Sequence, residues 1–330
     1  RLSLVGSEMC IRDRYIGTQQ ATRTMFDHGL QDRASKRSLG ADRQDSGLWM
    51  RAQGRHDKGM RMAEGKVDID SSSDVVQMGG ALLRRPVGAQ GALYAGLMAG
   101  YGDARIDSTS TLMRRDTNTA VRAKAHGKVS GYSAGVYGTF YADDVNRLGA
   151  YVDTWLQYGR YTNRLSSELG SADYDSNLWS ASLESGYALA PFAADSPFRA
   201  WVVEPRGQLI YSRYTARAAD LQDTRLRNGT ADAWRSSIGV RLYQQPGQAA
   251  DESVLRPFVE TNWLHSEAVP SVRMGSNSFD ARPSRDALEL KVGAQLRVAR
   301  DVELSSHLFG HSGSASEYGY GGQLSLSYSW

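Results

Sequence analysis

The sequence predicts an all-β membrane barrel of twelve antiparallel strands, with an N-terminal helix threaded through the lumen. Three observations lead to this fold class. From Gly47 onward, apolar and polar residues alternate with a period of two over segments of about ten to fifteen residues, whereas soluble strands average roughly five or six. Short and long connections alternate between these segments, and one face of most of them carries no charge. These patterns are typical of strands that cross a bilayer at a tilt.

Composition excludes several other classes. The 330 residues are 41% hydrophobic and 23% charged, which favours a folded chain. Net charge is +3 without a Lys/Arg stripe, so we expect no nucleic-acid partner. Cys10 is the single cysteine, which excludes a disulfide scaffold and a thiolate metal site. No apolar run reaches the roughly 18 residues of a membrane helix. We expect no cofactor and no catalytic chemistry.

Residues 1–14 (RLSLVGSEMCIRDR) do not fit the pattern that follows. They lack the apolar core and cleavage site of a signal peptide. They resemble translated adapter sequence from assembled environmental reads, so we expect a sequencing artefact and a truncated chain, with a disordered terminus as the alternative.

Residues 15–46 are interpreted as a linker and a lumenal helix. Residues 18–39 contain helix formers and no proline, and Phe26 and Leu30 are spaced four apart. Gly29 weakens this prediction. A helix of this length spans about 30 Å, which is close to the thickness of the hydrocarbon core. Its thin apolar face suits a helix surrounded by polar walls.

Residues 47–330 form the predicted barrel domain. The predicted strands lie near residues 47–57, 72–85, 91–104, 127–141, 148–162, 175–190, 198–214, 231–245, 254–266, 285–298, 302–311 and 320–330. The long connections are predicted at residues 58–71, 105–126, 163–174, 215–230 and 267–284. Short turns on the periplasmic side and long loops outside are a mark of bacterial barrels, as is an even strand number.

The position of charges assigns the two faces of the wall. A charge facing lipid at mid-depth costs about 2–4 kcal/mol, so the uncharged face should contact hydrocarbon. Strand 254–266 alternates less cleanly than the others. The residues predicted to face the lumen are Asp153, Glu184, Glu204, Arg206, Arg241, Glu289, Lys291 and Arg297.

Charges on the helix region suggest what holds it. Residues 18–43 carry five basic and three acidic side chains, and buried charges persist when they are paired. We therefore expect the helix to be held by the carboxylates of Asp153, Glu184, Glu204 and Glu289. The alternative is scattered polar filler.

Aromatic residues cluster toward strand ends and predict interfacial girdles, although Tyr and Trp are also good strand formers. The girdle candidates are Trp49, Tyr101, Tyr141, Tyr158, Tyr187, Trp201, Tyr211, Trp234, Tyr243, Trp263 and Trp330.

The last strand predicts an assembly signal. Leu324, Leu326, Tyr328 and Trp330 form an unbroken apolar face that ends in an aromatic residue. Barrel-assembly machinery can pair with such an edge by strand addition. The alternative is an ordinary final strand.

Several stretches resemble the C-terminal translocator domain of pertactin-like autotransporters. They are GLWMRAQG (47–54), GYSAGVYGTFY (131–141), GAYVDTWLQYGRY (149–161), ASLESGY (181–187), VEPRGQLIYS (203–212), RPFVETNWLH (256–265), LELKVGAQL (288–296) and the terminal GGQLSLSYSW. The resemblance implies a twelve-stranded outer-membrane barrel with a threaded helix, which anchors and exports an upstream passenger domain by type V secretion. It also implies outer-membrane lipid, lipopolysaccharide and the barrel-assembly machinery as partners. The family commonly ends in Phe, whereas this chain ends in Trp330.

Two other classes stay open at this stage. A rim hydrolase would use His265 with Glu267, or His311 with Ser312 and Ser314. A pore or adhesin would act through its own loops, such as residues 105–126, whose basic side chains could touch lipopolysaccharide or only be solvated.

Overall fold

The computed structural model describes residues 17–33, 47–62, 66–113, 119–167, 170–216, 219–221, 224–226, 229–245, 255–268, 271–274, 277–280, 284–299, 301–313 and 317–329. Residues 1–14, and the end of the predicted helix from residue 34 onward, lie outside these ranges. In the part of the chain that the structure describes, no helix is long and apolar enough to cross a membrane.

Twelve antiparallel strands close into one barrel, which confirms the predicted fold class. Each strand pairs with its sequence neighbour in the wall. The first strand, β1 (Gly47–Met62), closes the barrel by pairing with the last, β16 (Tyr318–Ser329), from Gly47↔Ser329 to Lys58↔Tyr318. The barrel strands are β1 Gly47–Met62, β2 Lys66–Val87, β3 Gly91–Met113, β4 Ala120–Tyr141, β5 Gly149–Ser167, β6 Gly170–Ala188, β7 Trp201–Ala216, β10 Gly229–Gln244, β11 Leu255–Ala268, β14 Ser284–Ala299, β15 Val302–Gly313 and β16 Tyr318–Ser329.

Three of the predicted long connections are wrong, because the strands continue through them. β2, β3 and β4 have 22, 23 and 22 residues, and most of residues 58–71, 105–126 and 163–174 is paired strand. Alternation persists there: Ile106 and Leu165 are buried inside the barrel, while Asp107 and Arg164 point outward. Charged residues such as these are typical of loops, which is why the sequence predicted loops here. They belong instead to hairpins that project above the membrane.

Two of the predicted loops carry a small sheet of their own. It has the order β13-β12-β9-β8, and its strands are β8 Ala219–Leu221, β9 Thr224–Leu226, β12 Ser271–Met274 and β13 Asn277–Asp280. These strands lie at the extracellular end of the barrel, beyond β7, β10, β11 and β14.

The outer face is apolar and exposed, while the inner face is polar and buried. On β14, Leu288 and Val298 are 66% and 51% exposed. They are ten positions apart, and at about 3.4 Å per residue and a tilt of about 40° they delimit a band roughly 25 Å tall, which matches the lipid-facing band of such barrels. β11 follows the same rule, because Leu255, Val259 and Trp263 are exposed and the even-numbered residues between them are buried.

The girdle prediction needs one correction. Trp49, Tyr141 and Tyr243 are buried inside the barrel, where they pack on other lumen side chains, so they do not belong to an interfacial girdle. Trp330 lies outside the described residues. Outside the wall, aromatic rings face each other across neighbouring strands at 4.7–5.0 Å between centroids, as in Tyr101–Tyr132, Tyr158–Trp179 and Tyr211–Trp234. These pairs form the upper girdle.

The predicted continuous helix is also wrong. Residues 17–24 are helical (α1), residues 25–29 leave the helix, and Leu30–Arg33 form the short helix α2. Lumen side chains bind the freed carbonyls of Phe26 and His28, which compensates for the lost intrahelical bonds. We call residues 17–33 the lumenal segment.

Candidate functional site: the lumen and its N-terminal segment

The lumenal segment runs down the barrel from the extracellular end to the periplasmic end. The Thr18 hydroxyl lies 2.8 Å from the Tyr174 hydroxyl, near the extracellular start of β6. The Arg33 guanidinium contacts Asp153, five positions into β5 from its periplasmic end. Short periplasmic turns and long external hairpins fix this orientation. The chain therefore enters β1 from the periplasmic side, and residue 17 lies toward the cell surface.

Arg33 makes the most buried ion pair in the lumen. Its Nη2 contacts Asp153 Oδ1, and the two side chains are 2% and 0% exposed. The same nitrogen lies 3.3 Å from Thr139 Oγ1, and the guanidinium lies 4.1 Å from the centre of the Tyr137 ring. The pair is thus desolvated and supported on several sides, which is the arrangement in which loss of one partner is most costly.

Glu184 and Glu204 bind the segment through neutral groups. The Leu30 amide donates to Glu184 Oε1 at 2.9 Å, and Gln31 Nε2 donates to Glu204 Oε1 at 3.3 Å. Wall residues satisfy the remaining oxygens: Tyr151 donates to Glu184 at 2.7 Å, and Tyr243 donates to Glu204 at 3.1 Å. Glu184 accepts at the start of α2, where an anion is favourable.

The acidic residues of the segment bind cations of the wall. The sequence analysis expected only the opposite arrangement, in which wall carboxylates bind cations of the segment. Asp27 pairs with Arg235, and Asp32 Oδ1 lies 4.0 Å from Lys291 Nζ. Arg23 does not meet a carboxylate; its Nη2 donates to the Ala231 carbonyl at 3.1 Å. The segment is held by charges of both signs.

The break between α1 and α2 is fixed by three lumen side chains. Trp155 Nε1 and Gln208 Nε2 donate to the His28 carbonyl at 3.1 and 2.8 Å, and Gln157 Nε2 donates to the Phe26 carbonyl at 3.1 Å. The imidazole of His28 stacks on Trp155 with 5.1 Å between centroids. Sequence analysis did not single out Trp155, Gln157 or Gln208 as contacts of the segment. Their inward parity on β5 and β7 was the available signal.

Apolar packing holds the upper part of the segment. Met25 and Phe26 are 5% exposed and pack in a cluster with Ile106 and Tyr161. They fit because the inner face of β3 has glycines there: a Cβ added at Gly100 would lie 2.8 Å from Phe26 Cε1.

The other predicted lumen residues form a network within the wall. Arg206 contacts Glu184 at 3.4 Å, Arg241 contacts Glu260 at 3.5 Å, and Lys291 lies 3.7 Å from Glu260. Glu289 accepts from Asn262 Nδ2 at 3.0 Å and does not contact the segment directly. Arg297 is half-buried, near the periplasmic end, and stands opposite Glu303 in the ladder.

The predicted assembly signal lies on the outer face of β16. Leu324, Leu326 and Tyr328 are exposed, and they stand opposite Ala52, Met50 and Leu48 of β1. Trp330 lies outside the described residues.

The two histidines that the sequence singled out for a rim hydrolase, His265 and His311, bind carboxylates. His265 Nδ1 lies 2.7 Å from Asp286 Oδ1, and His311 Nε2 lies 2.8 Å from Asp57 Oδ1. Within the described residues, no serine hydroxyl hydrogen-bonds to either imidazole. The geometry therefore does not support a His–Ser pair at His265 or His311; the described His–Ser contact near the rim is that of His56 Nδ1 with Ser72 Oγ, at 2.8 Å on the outward face.

A closed twelve-stranded wall with an apolar outer band and a polar lumen is the architecture of an outer-membrane barrel. The sequence model of the autotransporter β-domain matches residues 48–307, and the chain belongs to this family. It is therefore a bacterial outer-membrane barrel of the type V secretion pathway, which translocates a passenger domain.

Relatives and solved structures agree with this assignment. The chain is 29% identical to the Escherichia coli protein YdeU over 96% of its length and 68% of YdeU, and 23% identical to the Escherichia coli autotransporter adhesin AIDA-I over 96% of its length. It spans only 25% of AIDA-I. The crystal structure of the AIDA-I transport unit matches 97% of this chain and 99% of that unit, with a TM-score of 0.81 at 20% identity. The β-domain of the Bordetella autotransporter BrkA matches 87% of this chain and all of that domain, with a TM-score of 0.62 at 19% identity.

Proposed function

We propose that this barrel anchors a passenger at the cell surface and that the structure represents its closed state after export. The observation that carries the proposal is the direction of the lumenal segment. Thr18 lies near the extracellular opening and Arg33 lies deep toward the periplasm, so the N-terminal end of the described segment faces the cell surface. Residues 15–46 are then the linker and lumenal segment, and residues 47–330 are the anchor. The proposal assigns no catalytic chemistry to this chain.

Surface accessibility tests this direction. An epitope placed upstream of residue 17, behind a secretion signal, is expected to bind antibody on intact cells and to be removed by added protease. A matched epitope in the periplasmic turn at residues 193–195 should become accessible only after lysis. Upstream epitopes that are detected only in lysed cells would contradict the proposal.

The closed state is tested by conductance. Deletion of residues 15–43 should raise single-channel conductance in planar bilayers, because the segment occupies the lumen and its removal leaves a water-filled path. Full-length protein reconstituted in the same way is the control. Equal conductance of the two forms would show that the segment does not close the pore.

Assembly is proposed to use the apolar face of β16 as the signal for the barrel-assembly machinery. The Tyr328→Asp variant, and deletion of Trp330, should leave the protein in the periplasm, because strand addition needs this edge. The matched control is Tyr187→Asp, which places the same charge on an equally exposed tyrosine near the periplasmic end of β6. Equal outer-membrane yields of the Tyr328→Asp and Tyr187→Asp variants would contradict a special role for the last strand.

Outer-membrane lipid is the proposed partner of the apolar band. Lipopolysaccharide is the proposed partner in the outer leaflet. The upper girdle, with Tyr132 70% exposed and Trp179 51% exposed, lies where headgroups meet hydrocarbon.

A further inference from the structure

The outer wall of β3, β4 and β5 carries a row of like charges above the upper girdle. Arg105 stands directly opposite Lys128, and Lys128 stands directly opposite Arg164 on its other side. All three side chains are exposed and point outward. Side chains directly opposite in a sheet have Cβ atoms about 5 Å apart, so three cationic stems start within about 10 Å of one another. We call these residues the basic row.

Asp103 and Asp107 lie two positions either side of Arg105 on the same outward face, but within the described residues neither forms an ion pair with Arg105 or Lys128. Arg164 Nε lies 3.2 Å from Asp173 Oδ1 on its far side. Within the described residues, Arg105 and Lys128 form no ion pair or hydrogen bond through their side chains. Like charges directly opposite one another destabilise a sheet. An anion from outside the protein would convert this repulsion into attraction.

Two other cations of the outer rim, Arg213 and Lys58, are paired with acids. Arg213 Nε lies 3.7 Å from Asp232 Oδ1, and Lys58 Nζ lies 4.0 Å from Asp70 Oδ1. In both cases the acid stands directly opposite the base in the ladder. The basic row differs from these two pairs, because Lys128 faces a cation on each side of the ladder.

The height of the row indicates which anion it meets. Arg105 and Lys128 each lie four positions above Tyr101 and Tyr132, whose rings mark the hydrocarbon boundary. Four residues are about 13 Å along a strand and about 10 Å along the membrane normal at a 40° tilt. Long Lys and Arg side chains can bend down toward headgroups from this level. The row therefore faces the headgroup layer of the outer leaflet, whose lipid is a phosphorylated glycolipid.

We propose that Arg105, Lys128 and Arg164 form a binding site for the phosphates of the lipid A headgroup of lipopolysaccharide. This inference rests on the membrane orientation of the proposed function. Charge-assisted hydrogen bonds from guanidinium and ammonium groups to phosphate supply the attraction, and the row spaces the donors across one headgroup.

Binding of lipid A to purified full-length protein in neutral detergent tests the site. The R105Q/K128Q variant is expected to bind bisphosphorylated lipid A about 30-fold more weakly than the unaltered chain. The matched control K58Q/R213Q removes one Lys and one Arg from the same outer rim, where each has an acidic partner, and should bind within about twofold of the unaltered chain. Lipid A stripped of its phosphates should bind the unaltered chain as weakly as R105Q/K128Q binds the intact lipid.

A second measurement does not depend on lipid. Without lipid A, R105Q/K128Q should unfold on heating at a midpoint equal to or above that of the unaltered chain, because the variant removes like-charge repulsion. A lower midpoint would mean that the protein already satisfies the row internally, and this would overturn the proposal. Equal lipid A affinity of R105Q/K128Q and K58Q/R213Q would overturn it too, as would equal stabilisation by inorganic phosphate and lipid A. Surface display of the upstream epitope is measured on the same variants. If the epitope is displayed but lipid A binding is unchanged, this inference fails alone; if the epitope is not displayed on the unaltered chain, the proposed function fails.

Discussion

The upper and lower ends of the lumenal segment are held by different physical means. In the upper part, Met25 and Phe26 are held mainly by shape, in an apolar cluster against the glycines of β3. In the lower part, Arg33 and Leu30 are held by buried ionic and hydrogen-bonded contacts to Asp153 and Glu184. Apolar packing tolerates small displacements of a side chain, whereas a buried ion pair does not. The lower end therefore fixes the position of the segment, and the upper end fills the lumen around it.

The largest effect is expected from Arg33→Met. This change leaves the Asp153 carboxyl buried without its ion-pair partner, which costs about 3–5 kcal/mol. The segment should leave its site, and single channels in planar bilayers should spend far more time open. The double variant Arg33→Met/Asp153→Asn removes both charges and should recover most of the closed time. Unchanged gating in Arg33→Met would show that the lower end does not fix the segment.

Next in size is Gly100→Ala, which tests the upper end. The added Cβ would lie 2.8 Å from Phe26 Cε1 and 3.2 Å from the Val76 carbonyl oxygen. Overpacking of this kind costs about 1–3 kcal/mol, so the open fraction should rise by less than in Arg33→Met. Gly138→Ala is the control, because its nearest atom is the Tyr94 carbonyl oxygen at 3.7 Å. If the two alanine variants gate alike, the glycine of β3 is not needed for close packing.

A smaller effect is expected from Asp27→Asn, which breaks an ion pair that is less buried than Arg33–Asp153. Asp27 and Arg235 are 19% and 17% exposed, so the loss should be about 1 kcal/mol. Raising KCl from 0.1 M to 1 M shortens the screening length from about 10 Å to about 3 Å and should reduce this loss, while the loss in Arg33→Met should persist. Equal salt sensitivity of the two variants would remove the distinction between a fully buried pair and a partly exposed one.

The smallest effect is expected from Thr18→Val. The change removes one hydroxyl contact, to Tyr174, and keeps the shape of the side chain. The expected loss is at most about 1 kcal/mol, visible as a slight increase in open fraction. A loss greater than that of Gly100→Ala would mean that polar contacts, and not packing, dominate the upper end.

Sequence alone could predict the strand number and the two faces, because hydrocarbon tolerates no charge at mid-depth and this leaves a period-two signature. It could also predict that the segment lies inside a polar lumen. The girdle prediction treated Trp49 and Trp234 alike, because both are aromatic residues near strand ends. Trp49 is buried in the lumen and Trp234 is exposed outside, and only the parity of each strand distinguishes the two positions.

Sequence did not predict the upper part of the wall or the break in the helix. Above the girdle, the outer face leaves the hydrocarbon and meets polar surroundings, so Arg105 and Asp107 give the same signal on a strand as in a loop. At Phe26 and His28, side chains more than 120 positions away along the chain supply the hydrogen bonds that replace those of a helix. Local propensity contains no information about such partners.

The direction of the lumenal segment has a mechanical consequence. A passenger that grips another surface would pull on the chain from outside, along the barrel axis. That tension would be borne first by the hydroxyl contact of Thr18 and the apolar packing of Phe26, and then by Arg33 deep in the wall. Because the weakest contacts are loaded first and the strongest last, the anchor would yield in steps under load and keep its hold on the membrane.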